Sequence, residues 1–275
     1  MIDWLATCRA AVQDVRGVLA ELPARSDREP VVGAGMGGDD TTAIDAAVER
    51  AVVARLDADG GGFTLVSEEL GVRPGGETWV VLDPIDGSIN AKRGLPFFSL
   101  SVAVAEGPTM GDVTFGYVYD FGSGEEWTAE RGRGARLNGE PLRGEPPKDR
   151  IEILALEATR TDLVAGHTPS LVDFVHRLRI FGSLAISLCH LADGRVDAVA
   201  SLRPRGARAV DIAAGQLLVR EAGSAVALPD VPGSFGAAPL DLEGRSRVVA
   251  ARDGASLADV AGLLGIGAGR AGHPG

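Results

Sequence analysis

Leu5, Cys8, Val12, Val15, Leu19 and Leu22 recur at steps of three and four residues, the spacing of one buried helix face. They predict an amphipathic helix that closes near Pro23. The polar, glycine-rich stretch from Ser26 to Asp40 reads as a mobile loop. Ile44, Val48, Ala51, Val52 and Leu56 then predict a helix over Thr42 to Asp57. Apolar and alternating runs predict strands at Phe63 to Ser67, Thr78 to Leu82, Phe97 to Ala105, Val113 to Phe121, Glu126 to Glu130 and Ala135 to Leu137. Turn signals at Gly122-Ser123-Gly124 and Asn138-Gly139 join the later ones into a meander.

The second half alternates strand with helix. Strands are predicted at Ile151 to Leu156, Arg179 to Phe181, Val196 to Ala200 and Arg247 to Ala250. Helices are predicted at Pro169 to Arg177, Ser183 to Leu191, Asp211 to Glu221 and Leu257 to Leu264. Gly144-Glu145-Pro146-Pro147 is the best internal boundary. It divides an N-terminal α+β domain, 1–147, from a C-terminal α/β domain, 148–275, each a sheet covered by helices.

Composition narrows the function. The 275 residues are 45% hydrophobic, enough for a large core, and carry a formal net charge of −11. That charge argues against a nucleic-acid polymer as partner, which needs a basic face. It leaves anionic small molecules open, because bound divalent cations reverse the local field. No apolar run approaches the ~20 residues of a membrane span, so no membrane partner is expected. Asp3 and Arg9 interrupt anything resembling a signal peptide. Cys8 and Cys189 form no CxxC pair and read as buried, inert thiols, consistent with a reducing cytoplasm.

The segment Trp79 to Ser88 carries the chemistry. A buried apolar strand ends in Asp83, which costs free energy unless the acid is paired or binds a metal. Pro84 ends the ladder and Asp86 follows three positions on. Oxygen ligands of this kind suit Mg²⁺, and two carboxylates on one turn can bridge two ions. The amides of Gly87 and Ser88, at a helix start, would cradle an anion. Glu68 and Glu69 at a strand end, Asp45 in the first turns of a helix and Asp211 at a helix start are further acids for the same centre. Neither a GxSxG elbow nor HExxH occurs.

Each feature has a plainer reading. Asp45 can complete a capping box with Thr42, and Asp211 can be an N-cap. Gly182 and Ser183 can be a turn and a helix cap as well as a substrate contact. Arg203, Arg205 and Arg208 can be a solvated basic run or a grip on a second phosphate. Gly33-Ala34-Gly35-Met36-Gly37-Gly38 matches GxGxxG, but Asp39 and Asp40 would repel a pyrophosphate, so the segment reads better as a lid.

Four motifs in order resemble the inositol monophosphatase family: Thr41-Thr42-Ala43-Ile44-Asp45, Ser67-Glu68-Glu69, Asp83-Pro84-Ile85-Asp86-Gly87-Ser88, and Val210-Asp211-Ile212-Ala213-Ala214-Gly215 with Glu221-Ala222-Gly223. Gly182-Ser183-Leu184-Ala185 resembles its substrate-side segment. Ser88 stands where the family usually has Thr, Val210 where Trp is common, and Ser224 where Gly is. The Gly33 to Asp40 loop, Asn90-Ala91 and the Arg-rich stretch look more like the archaeal branch, which includes enzymes acting on both inositol monophosphate and fructose 1,6-bisphosphate.

The resemblance implies an α+β fold, a layered αβαβα sandwich, in a homodimer. It implies an Mg²⁺-dependent phosphate monoester hydrolase acting by attack of a metal-activated water. Two or three ions are implied, with Mn²⁺ as a substitute. Glu68, Asp83 and the Ile85 carbonyl would hold one ion, and Asp83, Asp86 and Asp211 a second. Glu68 would touch a weaker third, and Asp45 and Ser88 would position and deprotonate the water. Gly87 and Ser88 would bind phosphate; Asp86, Gly182, Ser183, Arg203, Arg205 and Asp211 would face the substrate, a small phosphorylated polyol or sugar. Inositol-1-monophosphatase is the first expectation and fructose-1,6-bisphosphatase, alone or as a dual activity, the second. An idle binding protein that kept the fold is the rival from another class.

Overall fold

The computed structural model describes residues 2–36, 40–142, 150–157, 160–204 and 206–266. In chain order the elements are α1 (Trp4–Glu21), α2 (Arg25–Arg28), β1 (Val31–Ala34), β2 (Asp40–Thr42), α3 (Ala43–Gly60), β3 (Thr64–Ser67), β4 (Gly71–Arg73), β5 (Trp79–Asp86), α4 (Ser88–Arg93), β6 (Ser99–Ala105), β7 (Val113–Asp120), β8 (Glu126–Glu130), β9 (Gly134–Leu137) and β10 (Glu140–Pro141). There follow β11 (Ile151–Glu157), α5 (Thr161–His167), β12 (Val175–Arg179), α6 (Leu184–Ala192), β13 (Ala198–Ser201), α7 (Ala209–Glu221), β14 (Ala225–Ala227), β15 (Val249–Ala251) and α8 (Gly254–Leu263).

Two main sheets result. One has the order β10-β9-β8-β7-β6-β5-β3-β4, with only β3 and β5 parallel; the other has the order β12-β11-β13-β15-β14, with β11 parallel to both its neighbours. Strand side chains alternate between faces, and the cores follow that period. Val80, Leu82, Leu100 and Val102 pack on α1 and α3, while Val81, Ala103 and Ala105 face α6 and α7. In the second sheet Ala155, Val199 and Ala250 face α6 and α7, and Leu154, Leu156, Ala198, Ala200 and Val249 face α8. The layers are therefore αβαβα, as the resemblance implies. α7 lies between two sheets, which is why it is apolar nearly all round, with Ala209, Val210, Ile212, Ala213, Ala214, Leu217, Leu218 and Val219 all buried.

Three segments differ from the sequence expectations. The Ser26 to Asp40 stretch holds a helical turn, α2, and the hairpin β1–β2, in which Val31 pairs with Thr42 and Ala34 with Asp40. The β-branched pair Val31-Val32 outweighs the surrounding glycines. Pro169 to Arg177 is not a helix. It is a 3₁₀ turn, Thr168–Leu171, then strand β12. Asp173 at φ 72° breaks helical geometry, and Val175 to Arg179 instead pairs with Ile151 to Ala155. The third is the expected Arg179 to Phe181 strand, which starts and ends earlier, as β12. Gly144 to Pro147 lies outside the described residues. Among the described residues no helix is long and apolar enough to cross a membrane. Cys8 and Cys189 are both buried and free.

Candidate active site

Strand β5 sets the geometry. Residues three apart in a regular strand point to opposite faces. Between Asp83, paired with Ser101, and Asp86, paired with Ser99, β5 gains one residue over β6. This bulge, at the proline, resets the parity and brings both carboxylates to one cleft. Gly87 then turns at φ 95° into α4. A Cβ there would lie 2.7 Å from the Phe97 carbonyl oxygen, so only glycine fits. As residues at the start of α4, Gly87 and Ser88 have amides without an acceptor inside the helix.

Glu68 reaches the same cleft from the end of β3, parallel to β5. Its turn is held by buried Glu49, whose Oε1 accepts from the Ser67 hydroxyl and from the amides of Glu69 and Leu70 at 3.2 and 3.1 Å. Asp211 arrives from α7 as the third helical residue, not the first. Its Oδ2 accepts from the Arg208 amide at 2.7 Å, so Arg208 is the N-cap residue. Asp86 is anchored from α6: its Oδ2 accepts from Ser183 Oγ and from the Ala185 amide, both at 2.6 Å. Ser183 is buried beneath that carboxylate and caps α6. It reaches the cleft through Asp86, whereas Gly182 lies in the cleft wall itself.

Asp45 does complete a capping box with Thr42, accepting from its amide at 3.1 Å on Oδ2. Lys92 Nζ stands 3.9 Å from the same oxygen. Oδ1 is buried and has no hydrogen-bond partner, a state a carboxylate oxygen does not keep for free. Ser88 donates to the Ile85 carbonyl at 3.1 Å. The cleft, about 580 Å³, is lined by Asp45, Glu68, Asp83, Ile85, Asp86, Gly87, Ser88 and Asp211, and Arg203 borders it. Arg205 lies outside the described residues.

Burial pushes the Glu68 carboxyl up to about 7 against the pull of Arg208, with Asp211 adding to the rise. Burial, then Glu68, Asp86 and Asp211, hold Asp83 well above the carboxylate range. Burial raises Asp86 to about 6, although Ser183 stabilises its charge. Carboxylates crowded out of water in this way need a cation. Within the described residues Arg208 supplies one. Its guanidinium contacts Glu68 and lies 3.4 Å from Asp211 Oδ1. Burial opposes that charge, but Asp211, Glu68 and Asp83 outweigh it and hold the guanidinium above its ordinary range. Sequence reading had Arg208 as a member of a solvated basic run or as a grip on a second phosphate, not as an ion-pair partner of Glu68. Glu49 and Lys92 carried no sequence signal at all, because their roles arise from packing.

The inositol monophosphatase family model matches residues 5–263. This chain belongs to the inositol monophosphatase family. It is 35% identical over 252 residues to the fructose-1,6-bisphosphatase/inositol-1-monophosphatase of Archaeoglobus fulgidus, covering 91% of this chain and 94% of that one. It is 34% identical over 197 residues to the Nus factor SuhB of Escherichia coli, covering 68% and 71%. A solved inositol monophosphatase–fructose 1,6-bisphosphatase superposes with a TM-score of 0.79 at 26% identity, covering 96% of this chain and 100% of that one. As a member of the inositol monophosphatase family, the chain is a metal-dependent phosphomonoester hydrolase, and the family implies dependence on Mg²⁺.

The residues fit that metal in kind. The donors are all hard oxygens, burial raises the carboxyls of Glu68, Asp83 and Asp86, and Asp45 Oδ1 lacks a partner. Among the described residues no three His, Cys, Asp or Glu side chains close on one point at metal-ligand spacing. The Arg208 guanidinium stands against Glu68 and Asp211 instead.

Proposed function

We propose that the chain hydrolyses inositol 1-phosphate, with fructose 1,6-bisphosphate as its alternative or second substrate. The observation that carries this reading is the join of two spaces. The acidic cleft shares Asp86, Gly182, Arg203 and Asp211 with a smaller lobe of about 200 Å³ at the ends of β11 and β13. A phosphoryl group in the cleft leaves its alcohol in that lobe. The curated relative from Archaeoglobus fulgidus carries both activities in its name, which supports the pair of substrates.

Glu68, Asp83 and the Ile85 carbonyl would hold one Mg²⁺, and Asp83, Asp86 and Asp211 a second, with Glu68 available to a third and Mn²⁺ a substitute. When bound, the cations neutralise the phosphate and make the attacking water more acidic. The chain does the rest. The Gly87 and Ser88 amides orient the phosphoryl oxygens. Asp45 takes the water's proton at Oδ1, while its Oδ2 stays fixed by Thr42. The Ser88 hydroxyl positions that water, and its bond to the Ile85 carbonyl places it beside the metal ligands. Arg203 and Arg205 would receive a second phosphate or sugar hydroxyls. The working form would be a cytoplasmic homodimer, each chain comprising the halves 1–147 and 148–275.

Phosphate release from inositol 1-phosphate, fructose 1,6-bisphosphate and adenosine 3′,5′-bisphosphate, with and without Mg²⁺, tests this. Mg²⁺-dependent turnover of the first two is expected. No turnover of any phosphate ester would favour an idle binding protein.

A further inference from the structure

The smaller lobe has a wall that the phosphoryl chemistry does not use. Glu157 and Ser201 are register partners at the ends of the parallel strands β11 and β13, and both line it. Glu157 is fixed in place. Its Oε1 accepts from Ser187 Oγ at 2.5 Å, and its Oε2 accepts from the Gly182 amide at 3.1 Å. A carboxylate offers about four lone-pair sites, so each oxygen keeps acceptor capacity beyond these bonds. The lobe's volume, about 200 Å³, equals that of roughly seven liquid waters. That suits one polyhydroxylated ring. Its lining combines apolar Leu184 and Ala207 with acceptors at Glu157 and Ser201 and a cation at Arg203, the mix of shape and few polar groups that fixes a small ligand's orientation.

We propose that Glu157 is a specificity-determining residue, whose carboxylate accepts hydrogen bonds from hydroxyl groups on the alcohol half of the phosphate ester. The proposal rests on the phosphomonoesterase reading above. A carboxylate anchored by Ser187 and Gly182 cannot turn away, so an ester without hydroxyls leaves it unsatisfied beside the bound alcohol. Through the Gly182 amide the same carboxylate also steadies the turn that carries Ser183 to Asp86.

The test compares a polyol ester, inositol 1-phosphate, with a hydroxyl-free ester, phenyl phosphate, on the same samples of wild type, Glu157→Gln and Glu157→Ala. The readout is the ratio of the two kcat/KM values, which does not depend on the fraction of folded enzyme. In Glu157→Ala the ratio should fall by about tenfold or more, mainly through KM for the polyol ester, as loss of a charge-assisted hydrogen bond dictates. Glu157→Gln, which keeps one acceptor, should fall less. An unchanged ratio, including an equal loss on both esters, overturns the role of Glu157 and leaves it a support for Gly182. A wild-type chain that hydrolyses neither these two esters nor fructose 1,6-bisphosphate overturns the phosphatase reading itself, and this role with it.

Discussion

Arg208 and Glu68, 140 residues apart in sequence, meet as a largely buried ion pair inside the acidic cleft. The guanidinium also lies 3.4 Å from Asp211 Oδ1. A protein cation thus sits against two of the acids proposed to hold Mg²⁺, and occupation of those acids by the metal requires the pair to loosen. Removing one partner of a buried pair strands the other, at a cost of about 3–5 kcal/mol. Arg208→Gln should therefore lower the melting temperature of the metal-free protein. It should also enlarge the stabilisation that added Mg²⁺ gives. Melting curves with EDTA and with Mg²⁺ check both; an Mg²⁺-induced shift no larger than wild type's would show that Arg208 does not compete with the metal.

Asp86 faces the cleft and takes its support from α6, through Ser183 and Ala185. Asp86→Asn keeps an oxygen for those donors and loses the charge. The fold should survive with little change in circular dichroism, while kcat falls by orders of magnitude, as expected when a metal-holding charge is lost. Near-wild-type turnover at saturating Mg²⁺ would remove Asp86 from the ligand set.

Asp45 divides its two oxygens between structure and chemistry, Oδ2 to Thr42 and Oδ1 unpartnered. Asparagine keeps an oxygen that can accept from the Thr42 amide, so Asp45→Asn should cost no more than about 1 kcal/mol of stability. It cannot accept the water's proton, and kcat should drop about 10²–10⁴-fold. Mg²⁺ binding, followed by calorimetry, should stay close to wild type. A kcat within twofold of wild type would leave Asp45 with capping alone.

Much of this site was legible because its acids sit next to strand and helix ends that the hydrophobic pattern already marks. In sequence β5 reads as an apolar strand ending in Asp83, and Asp211 reads as the opening of a helix, of which it is the third residue, whose all-round apolarity signals burial between layers. The hairpin β1–β2 and the edge strand β12 were missed for the same reason. Both are short and largely exposed, so pairing with a neighbour decides their conformation and the local pattern does not. The Arg208–Glu68 pair was illegible for a different reason. Sequence displays a basic run, while only the fold, which brings the start of α7 to the turn after β3, sets one of its members against Glu68.

Buried carboxyls make the metal-free protein sensitive to pH. Glu157 rises from 4.5 to about 7, chiefly through burial and with Asp86 adding to the rise, and Glu68 moves over the same range. Below pH 4.5 folded and unfolded chains both hold these protons. Between about 4.5 and 7 the folded chain retains protons that the unfolded chain has released, so stability falls as pH rises through that window. In EDTA the melting temperature should be lower at pH 8 than at pH 5, and Glu157→Gln should flatten part of the slope. A melting temperature that climbs over this interval would contradict the burial of these acids.

Gly87 is where the backbone itself constrains the site. It sits at φ 95°, and an added Cβ would lie 2.7 Å from the Phe97 carbonyl oxygen and 3.2 Å from that of Gly182. Gly94, at the other end of α4, sits at φ 72° with nothing within 4 Å of the same position. Alanine at Gly94 therefore meets only the dihedral penalty, about 1 kcal/mol. Alanine at Gly87 meets that penalty plus a clash with two backbone segments that cannot rotate aside. Gly87→Ala should therefore cost more stability than Gly94→Ala, by about 1–3 kcal/mol. The clash pushes apart the turn carrying the amides proposed to bind phosphate and the Gly182 turn that leads into Ser183, which supports Asp86. It should raise KM for phosphate esters and lower kcat by at least tenfold, the sensitivity expected of a misplaced reacting group. Gly94→Ala should leave both near wild type. Equal kinetic losses in the two variants would mean that α4 as a whole, and not the fit at Gly87, sets the geometry of the site.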